Sequence, residues 1–264
     1  MYSDPMTVGH TIRKMGNRLN KFYRQWENPG LLSAAFRYNL QFKWVIEAGC
    51  HDGSDTLKFL ELENVLKVYA FEPDAVAADK AELKFKAFGN RVVFNRCALM
   101  EKRGYIQLSS STGIFGDGTT SIGEYFEHSQ VTRSDAALIP CTSLDDELPD
   151  LSFSGLIWLD VEGSAAKVLQ GSVKVLERVE MIQVEVDLHD SIHRNSNFVE
   201  VNKILTEREF TIIYGPIHPG FFGDAVYIKK SKLSLTERVR SQILNFLMHA
   251  THRIIYPLLG KPKR

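Results

Sequence analysis

Cysteine is scarce in this sequence and badly placed for pairing: Cys50, Cys97 and Cys141 are far apart, odd in number and in no Cys-x-x-Cys spacing. That excludes a disulfide-stapled fold and a cysteine zinc site, and it fits a reducing compartment. Long apolar runs are also missing. None reaches the roughly 20 residues that a membrane-spanning helix needs, and no N-terminal apolar stretch has the signal-peptide pattern. The expected location is therefore cytoplasmic. Surplus charge is lacking too: 32 basic residues balance 32 acidic ones. A free-standing nucleic-acid binder carries a basic face, so no nucleic-acid partner is expected. Two catalytic signatures are absent, the Gly-x-x-x-x-Gly-Lys-Ser/Thr phosphate loop and the Gly-x-Ser-x-Gly nucleophile elbow.

What is present suits one large α/β domain with appendages. The 264 residues are 44% hydrophobic, enough to bury a full core. Charge is unevenly spread. Residues 1–43 carry seven basic and two acidic side chains and 232–264 carry seven and one, which leaves the middle at about −11. Two basic ends therefore flank an acidic body. The expected division is a basic helical extension over 1–43, a catalytic domain over 44–230, and a basic amphipathic helix and tail over 231–264.

Apolar runs alternate with helical patterns. Strands are expected at 44–48, 67–71, 91–95, 156–160, 180–186, 210–214 and 224–229, with helices at 54–63, 74–87, 164–177 and 197–207. Such alternation predicts a Rossmann-like parallel sheet with helices on both faces. The final two strands have only Gly215-Pro216…His218-Pro219-Gly220 between them, which predicts a hairpin and one antiparallel edge strand. Between Arg103 and Pro140 the alternation stops. Tyr105–Ser109 and Ala137–Cys141 read as strands around a polar, glycine-rich span, 110–134, long enough to be a substrate loop or lid.

The densest signal lies in Glu47-Ala48-Gly49-Cys50-His51-Asp52-Gly53-Ser54, with Phe71-Glu72-Pro73 downstream. The first strand ends in an acid, turns through two glycines and enters a helix; the second strand also ends in an acid. Glycines there let backbone approach a ligand, and an acid after the second strand can accept both hydroxyls of a ribose. The spacing is not the Gly-x-Gly-x-x-Gly of dinucleotide binders, and Glu47 would repel a pyrophosphate. An acid there suits a ligand bearing positive charge, such as the ammonium and sulfonium of S-adenosylmethionine (SAM). Glu47 is expected to meet the ammonium, directly or through water, and Glu72 the ribose; Gly49 and Gly53 give close approach, and His51 holds the loop. Asp160 and Glu162 follow the fourth strand, where a carboxylate could take the proton of an alcohol acceptor; Asp160 is the first candidate for that, and Glu162 is expected to hold the turn or SAM. Glu185 ends the fifth strand. His189, just beyond it, is a candidate base or hydrogen-bond donor. Together with His193 it also permits a divalent-metal reading, which is not favoured because no helical register fixes the spacing.

Several of these motifs, in this order, resemble the FkbM family of SAM-dependent methyltransferases. Glu47-Ala-Gly-Cys-His-Asp-Gly-Ser-Asp-Thr56 is similar to its first motif and Phe71-Glu72-Pro73 to its ribose-binding element. Thr120-Ser121-Ile122, Thr142-Ser143-Leu144-Asp145-Asp146, Leu159-Asp160-Val161-Glu162-Gly163 and Val168-Leu169-Gln170-Gly171 are similar to later elements, and Glu185 to the acid closing the next strand. The resemblance covers roughly Trp44 to Lys230. It implies SAM as cofactor, with Asp52, Pro73, Cys97 and Ala98 lining the site beside the residues above, the last two near the adenine. It implies methylation of a hydroxyl oxygen, with a saccharide of a glycan or glycolipid, or a natural-product-like metabolite, as acceptor. N-methylation of a small metabolite and a non-catalytic SAM-binding or partner-binding module stay open. One departure stands out: the family's acid after Asp-Val-Glu-Gly-x is Ala165 here.

Past Lys230, Ser234-Leu-Thr-Glu237 is a capping box that opens a helix to about His252. Val239, Ile243, Phe246, Leu247, Ala250 and Ile254 form one apolar stripe along it. Such a stripe is expected first to pack on the domain. Self-association and a peripheral membrane contact are the alternatives.

Overall fold

A computed structural model of the chain describes residues 30–112, 120–121, 132–133, 137–161, 163–187, 197–215 and 222–250. The expected sheet is there. Strands β1 (Trp44–Ala48), β2 (Lys67–Phe71), β3 (Val92–Asn95), β9 (Gly155–Leu159), β10 (Val179–Asp187), β11 (Phe210–Tyr214) and β12 (Phe222–Lys229) form one sheet in the order β11-β12-β10-β9-β1-β2-β3. The one antiparallel strand is β12, and it lies one place inside the edge. It pairs with β10 on one side and β11 on the other, so β11 takes the edge. A hairpin dictates that the last two strands be neighbours; only the contest for β10 decides which of them is covered.

Between β3 and β9 the chain builds a second, smaller sheet. β4 (Ala98–Leu99) runs parallel to β8 (Ala137–Thr142), and β8 runs antiparallel to β5 (Gly104–Thr112). The short strands β6 (Thr120–Ser121) and β7 (Thr132–Arg133) pair with β5. The rest of the expected 110–134 loop lies outside the described residues.

Period-two alternation divides the core into two layers. Trp44, Ile46 and Ala48 face one cluster with Ile157, Leu159, Ile182 and Val184, covered by α5 (Ala165–Gln170) and α7 (Phe198–Glu207). Val45, Val68, Leu156, Met181 and Val226 face the other. There they meet α1 (Gly30–Arg37) through Leu31, Ala34 and Ala35, and α2 (Ser54–Leu60) through Phe59 and Leu60. Residues expected in an N-terminal extension thus share the core of the sheet. The amphipathic stretch Ile12–Trp26 lies outside the described residues.

Helix α3 (Ala75–Phe85) is capped by Asp74, whose side chain accepts from Ala77 N at 2.8 Å. The helix expected over 164–177 is two pieces, α5 and α6 (Val175–Arg178), joined at Gly171. A Cβ on Gly171 would lie 2.4 Å from the Met100 carbonyl oxygen, so the chain passes too close to Met100 for a helix with a side chain there. Asp145, in the short helix α4 (Leu144–Glu147), secures the break by accepting from Lys174 N and Val175 N. The Thr142–Asp146 and Val168–Gly171 motifs therefore hold the fold together.

The C-terminal helix, α8 (Leu235–Ala250), opens with the expected box: Ser234 N donates to Glu237 and Glu237 N to Ser234 Oγ. Its orientation corrects the expected packing. Ser241, Leu244 and Met248 are buried against the domain, whereas Val239, Ile243 and Phe246 are 47%, 55% and 70% exposed. Ser241 is drawn inward by a buried hydrogen bond with Thr211, and the larger apolar stripe is left on the outside. Among the described residues no helix is long and apolar enough to cross a membrane.

Candidate active site

The strand order reverses between β1 and β9, and open α/β sheets bind ligands beyond the carboxyl ends of strands at such a switch point. β1 and β9 run in register, Glu47 beside Trp158 and Ala48 beside Leu159, and Asp160 N donates to Ala48 O at 2.9 Å. The turn after β1 is pinned to β2, because Gly49 N and Cys50 N both donate to Phe71 O.

The glycines of this turn are needed by the fold itself. Gly49 has φ +82°, and a Cβ on it would lie 1.8 Å from the Asp160 carbonyl oxygen. It lets the turn and the end of β9 touch. Gly53, with φ +78°, leaves room for the Phe85 ring of α3, 2.6 Å from where its Cβ would be. Both are demanded first by protein against protein. His51 also takes a positive φ, 49°, and its backbone N donates to Glu72 Oε2 at 2.8 Å. Asp52 is engaged by Lys84 of α3 at 2.7 Å and by Ser54 N, and the Lys84 hydrogen bond holds its carboxyl far below the usual range. His51 and Asp52 thus brace the loop.

Glu72 is 5% exposed and accepts from His51 N and from Asp74 N, each at 2.8 Å. Burial raises its carboxyl, against those two donors. A carboxylate offers about four acceptor positions, so two remain. Pro73 leads from Glu72 into α3. Beside them Asn95 ends β3; its carbonyl accepts from Glu72 N, and its side-chain nitrogen Nδ2 is buried with no protein partner among the described residues. Cys97 is half-buried, its thiol pushed up to about 11 by burial first and then by Glu147, and Ala98 is buried in β4. The Cys50 thiol is raised further still by burial. Neither is a thiolate nucleophile at neutral pH.

Glu47 is 3% exposed and accepts the hydroxyl of Thr56 from α2. Burial pushes its carboxyl up to about 8, the charges of Asp55 and Asp160 push the same way, and the Thr56 hydrogen bond opposes them. Asp160 opens to solvent at the strand end, yet protein crowds it enough that lost hydration raises its carboxyl, with Asp224 and Asp55 adding to the shift. Asp224 comes from the start of β12, opposite Glu185 in register. Lost hydration raises it as well, while Gln183 Nε2 donates to its Oδ2 at 3.0 Å. Glu47, Trp158, Gln183 and Val226 are aligned across four neighbouring strands, so these acids share one face of the sheet.

Of the residues expected at the site, the fold gathers Glu47, Gly49, His51, Asp52, Gly53, Glu72, Pro73 and Asp160 around the β1 and β2 ends, with Cys97 and Ala98 just past β3 and half-buried Glu185 at the end of β10. Glu162 and His189 lie outside the described residues, as does His193. Among the described residues no group of three or more His, Cys, Asp or Glu side chains is placed to hold a metal ion. Asp55, Asp224, Gln183 and Asn95 were not expected. Asp224 becomes legible only when β12 is seen to run antiparallel to β10, which puts its first residues at the ligand edge. Thr56, a plain motif position in the sequence, is the partner of Glu47. Ala165 is 1% exposed in the apolar core, so the place of the family's acid is dry here. An open cleft beside Leu148, Pro149, Lys174 and Arg178 lies at the opposite edge of the sheet.

A family model for the Methyltransferase FkbM domain matches residues 47–212. The 2-O-methyltransferase NoeI of Sinorhizobium fredii (strain NBRC 101917 / NGR234) is 28% identical over 152 residues, which are 53% of this chain and 62% of that one. The match thus spans less than two thirds of the relative's length. Among solved structures, the methyltransferase FkbM from Methylobacillus flagellatus KT is 16% identical, over 71% of this chain and 44% of that one, with a TM-score of 0.47. A methyltransferase of Streptococcus mutans in complex with S-adenosylhomocysteine is also 16% identical, over 75% of this chain and 96% of that one, with a TM-score of 0.43.

Proposed function

This chain belongs to the FkbM methyltransferase family, and from that premise we propose that it carries a methyl group from SAM to a hydroxyl oxygen of a saccharide or a natural-product-like small molecule. The observation that carries this reading is the gathering of acids at the switch point: Glu47 is buried there with the charges of Asp55 and Asp160 acting on it, and Asp160 feels those of Asp224 and Asp55. Such a site repels a pyrophosphate and attracts a cation. Bound SAM supplies a methyl group made electrophilic by its sulfonium.

The residues present fit that cofactor. Glu72 has acceptor positions left for the two ribose hydroxyls, and the orphaned Asn95 nitrogen is a donor at the same strand ends. Glu47 yields its proton when an ammonium approaches, because a nearby positive charge reverses the effect of burial. We assign Cys97 and Ala98 to the adenine side, and Glu162 to the turn or to SAM. Asp160, raised but open to solvent, accepts the proton of the acceptor hydroxyl as the new carbon–oxygen bond forms. Glu185 and His189 orient that hydroxyl. A relative named as a 2-O-methyltransferase supports oxygen as the atom methylated.

The test is incubation of the protein with methyl-labelled SAM and extracts of glycans, lipids and metabolites, followed by mass spectrometry. Label on a saccharide or natural-product hydroxyl is the expected result. Label on an amine, or none with SAM bound, overturns the reading. Calorimetry should find binding of SAM and S-adenosylhomocysteine but not of NAD or ATP.

A further inference from the structure

Helix α8 has two faces, and only one is used by the fold. Ser241, Leu244 and Met248 point into the domain. On the other side Leu235, Val239, Ile243 and Phe246, at steps of four, four and three residues, are 79%, 47%, 55% and 70% exposed. At about 3.6 residues per turn they form one continuous apolar stripe. Exposed guanidinium groups flank it, Arg240 on one side and Arg238 on the other, and neither has an ion pair among the described residues. Scattered surface apolar residues need no explanation, but four in a row on one helix face do.

Charge decides what covers this stripe. Residues 1–29 hold five basic and two acidic side chains, and 251–264 hold four basic and none acidic. Folding either segment over a stripe bordered by Arg238 and Arg240 would bring like charges together. A second copy of the chain would also place arginines against arginines across a twofold axis. An anionic surface is instead attracted by Arg238 and Arg240 at this face and by the basic sequence that continues from the end of α8, and the charge of the acidic body is screened beyond about 10 Å at ordinary salt. We propose that the outer face of α8 docks on an anionic phospholipid bilayer, lying in the plane of the headgroups with Leu235, Val239, Ile243 and Phe246 in the acyl boundary and Arg238 and Arg240 at the phosphates. The helix lies on the membrane and does not span it. This inference does not depend on the methyl-transfer reading, since no residue of the stripe belongs to the switch-point site.

The test is co-sedimentation of the full chain with vesicles of phosphatidylcholine alone and of phosphatidylcholine mixed with phosphatidylglycerol, over a range of salt. The chain should pellet only with the anionic vesicles and progressively less as salt rises. The double variant Ile243→Asp/Phe246→Asp should lose pelleting while keeping SAM binding, because both side chains point away from the domain. Arg238→Gln/Arg240→Gln should weaken the partition coefficient by about fivefold per arginine, and it decides the matter if the aspartate pair folds poorly. Absence of pelleting by the full chain overturns the proposal, as does pelleting that both variants leave unchanged. A wild-type dimer that becomes a monomer in the aspartate pair, seen by analytical ultracentrifugation, would assign the stripe to a second copy instead.

Discussion

Thr56 donates its hydroxyl hydrogen to the carboxyl of Glu47, and both side chains are buried, at 0% and 3% exposure. One hydroxyl does not replace the hydration of a carboxylate, so Glu47 keeps its proton up to about pH 8. The unfolded chain loses that proton in the ordinary carboxylate range. Between those limits the folded state binds more protons, so this group's contribution to stability is lost as pH rises. Glu47→Gln removes the ionisation. Relative to wild type, its melting temperature should therefore rise steadily from about pH 5 to about pH 8, while SAM affinity falls. A stability difference that ignores pH would show that Glu47 is ionised in the folded protein.

Glu72 serves the fold and the proposed ribose at once. Glu72→Ala leaves the His51 and Asp74 backbone N–H groups without their acceptor, at a cost of about 1 kcal/mol or more each. It should also weaken SAM binding by roughly 1.5–3 kcal/mol. Denaturant unfolding and calorimetry below the melting transition separate the two losses. Unchanged affinity in a folded Glu72→Ala protein removes Glu72 from the cofactor site.

Gly49 and Gly89 both adopt positive φ, +82° and +54°, but only Gly49 is hemmed in. Gly89→Ala should cost backbone strain alone, because φ 54° with ψ −130° is a conformation that glycine adopts and L side chains disfavour. Gly49→Ala must in addition push away the Asp160 carbonyl, so it should cost more and abolish SAM binding together with activity. Equal losses from the two variants would mean that the contact between the turn and β9 yields freely.

Asp160 and Asp224 give a pH signature. Asp160→Asn should keep most SAM affinity and lose about 10²-fold or more in turnover if the carboxylate takes the acceptor's proton. The charge of Asp224 helps to raise Asp160. In Asp224→Asn that charge is gone, so the acid limb of the rate profile, on which activity rises with pH, should move to lower pH. A limb that stays in place under Asp224→Asn belongs to another group.

Most of the sheet could be read from the sequence, because an apolar run of period two bounded by turn residues states its own limits: 67–71 and 210–214 were placed to the residue. The breaks were harder. The helix over 164–177 stops at Gly171, a local stop signal that the expected helix ran past; why only glycine fits there is not local, since Met100, distant in sequence, passes 2.4 Å from where its Cβ would be. Both glycines of the first turn were recognised, but their cause was not, since Asp160 and Phe85 reach them from other elements. Asp224 went unnoticed because a lone aspartate at a hairpin carries no pattern. Its importance comes from a register that pairs it with Glu185.

The sequence by itself determined the alternation of elements, the acids at the ends of β1, β2 and β9, and one apolar stripe along α8. These follow from periodicities of two and 3.6 residues and from where such runs stop. The tertiary structure alone decided which face of α8 turns inward, which strand of the last hairpin is covered, and how neighbouring acids come to raise Glu47 and Asp160. A periodicity marks a face but cannot say what will lie against it. Burial and charge coupling depend on neighbours through space, and β12 brings the charge of Asp224 to bear on Asp160, two strands away, across more than sixty residues of intervening chain.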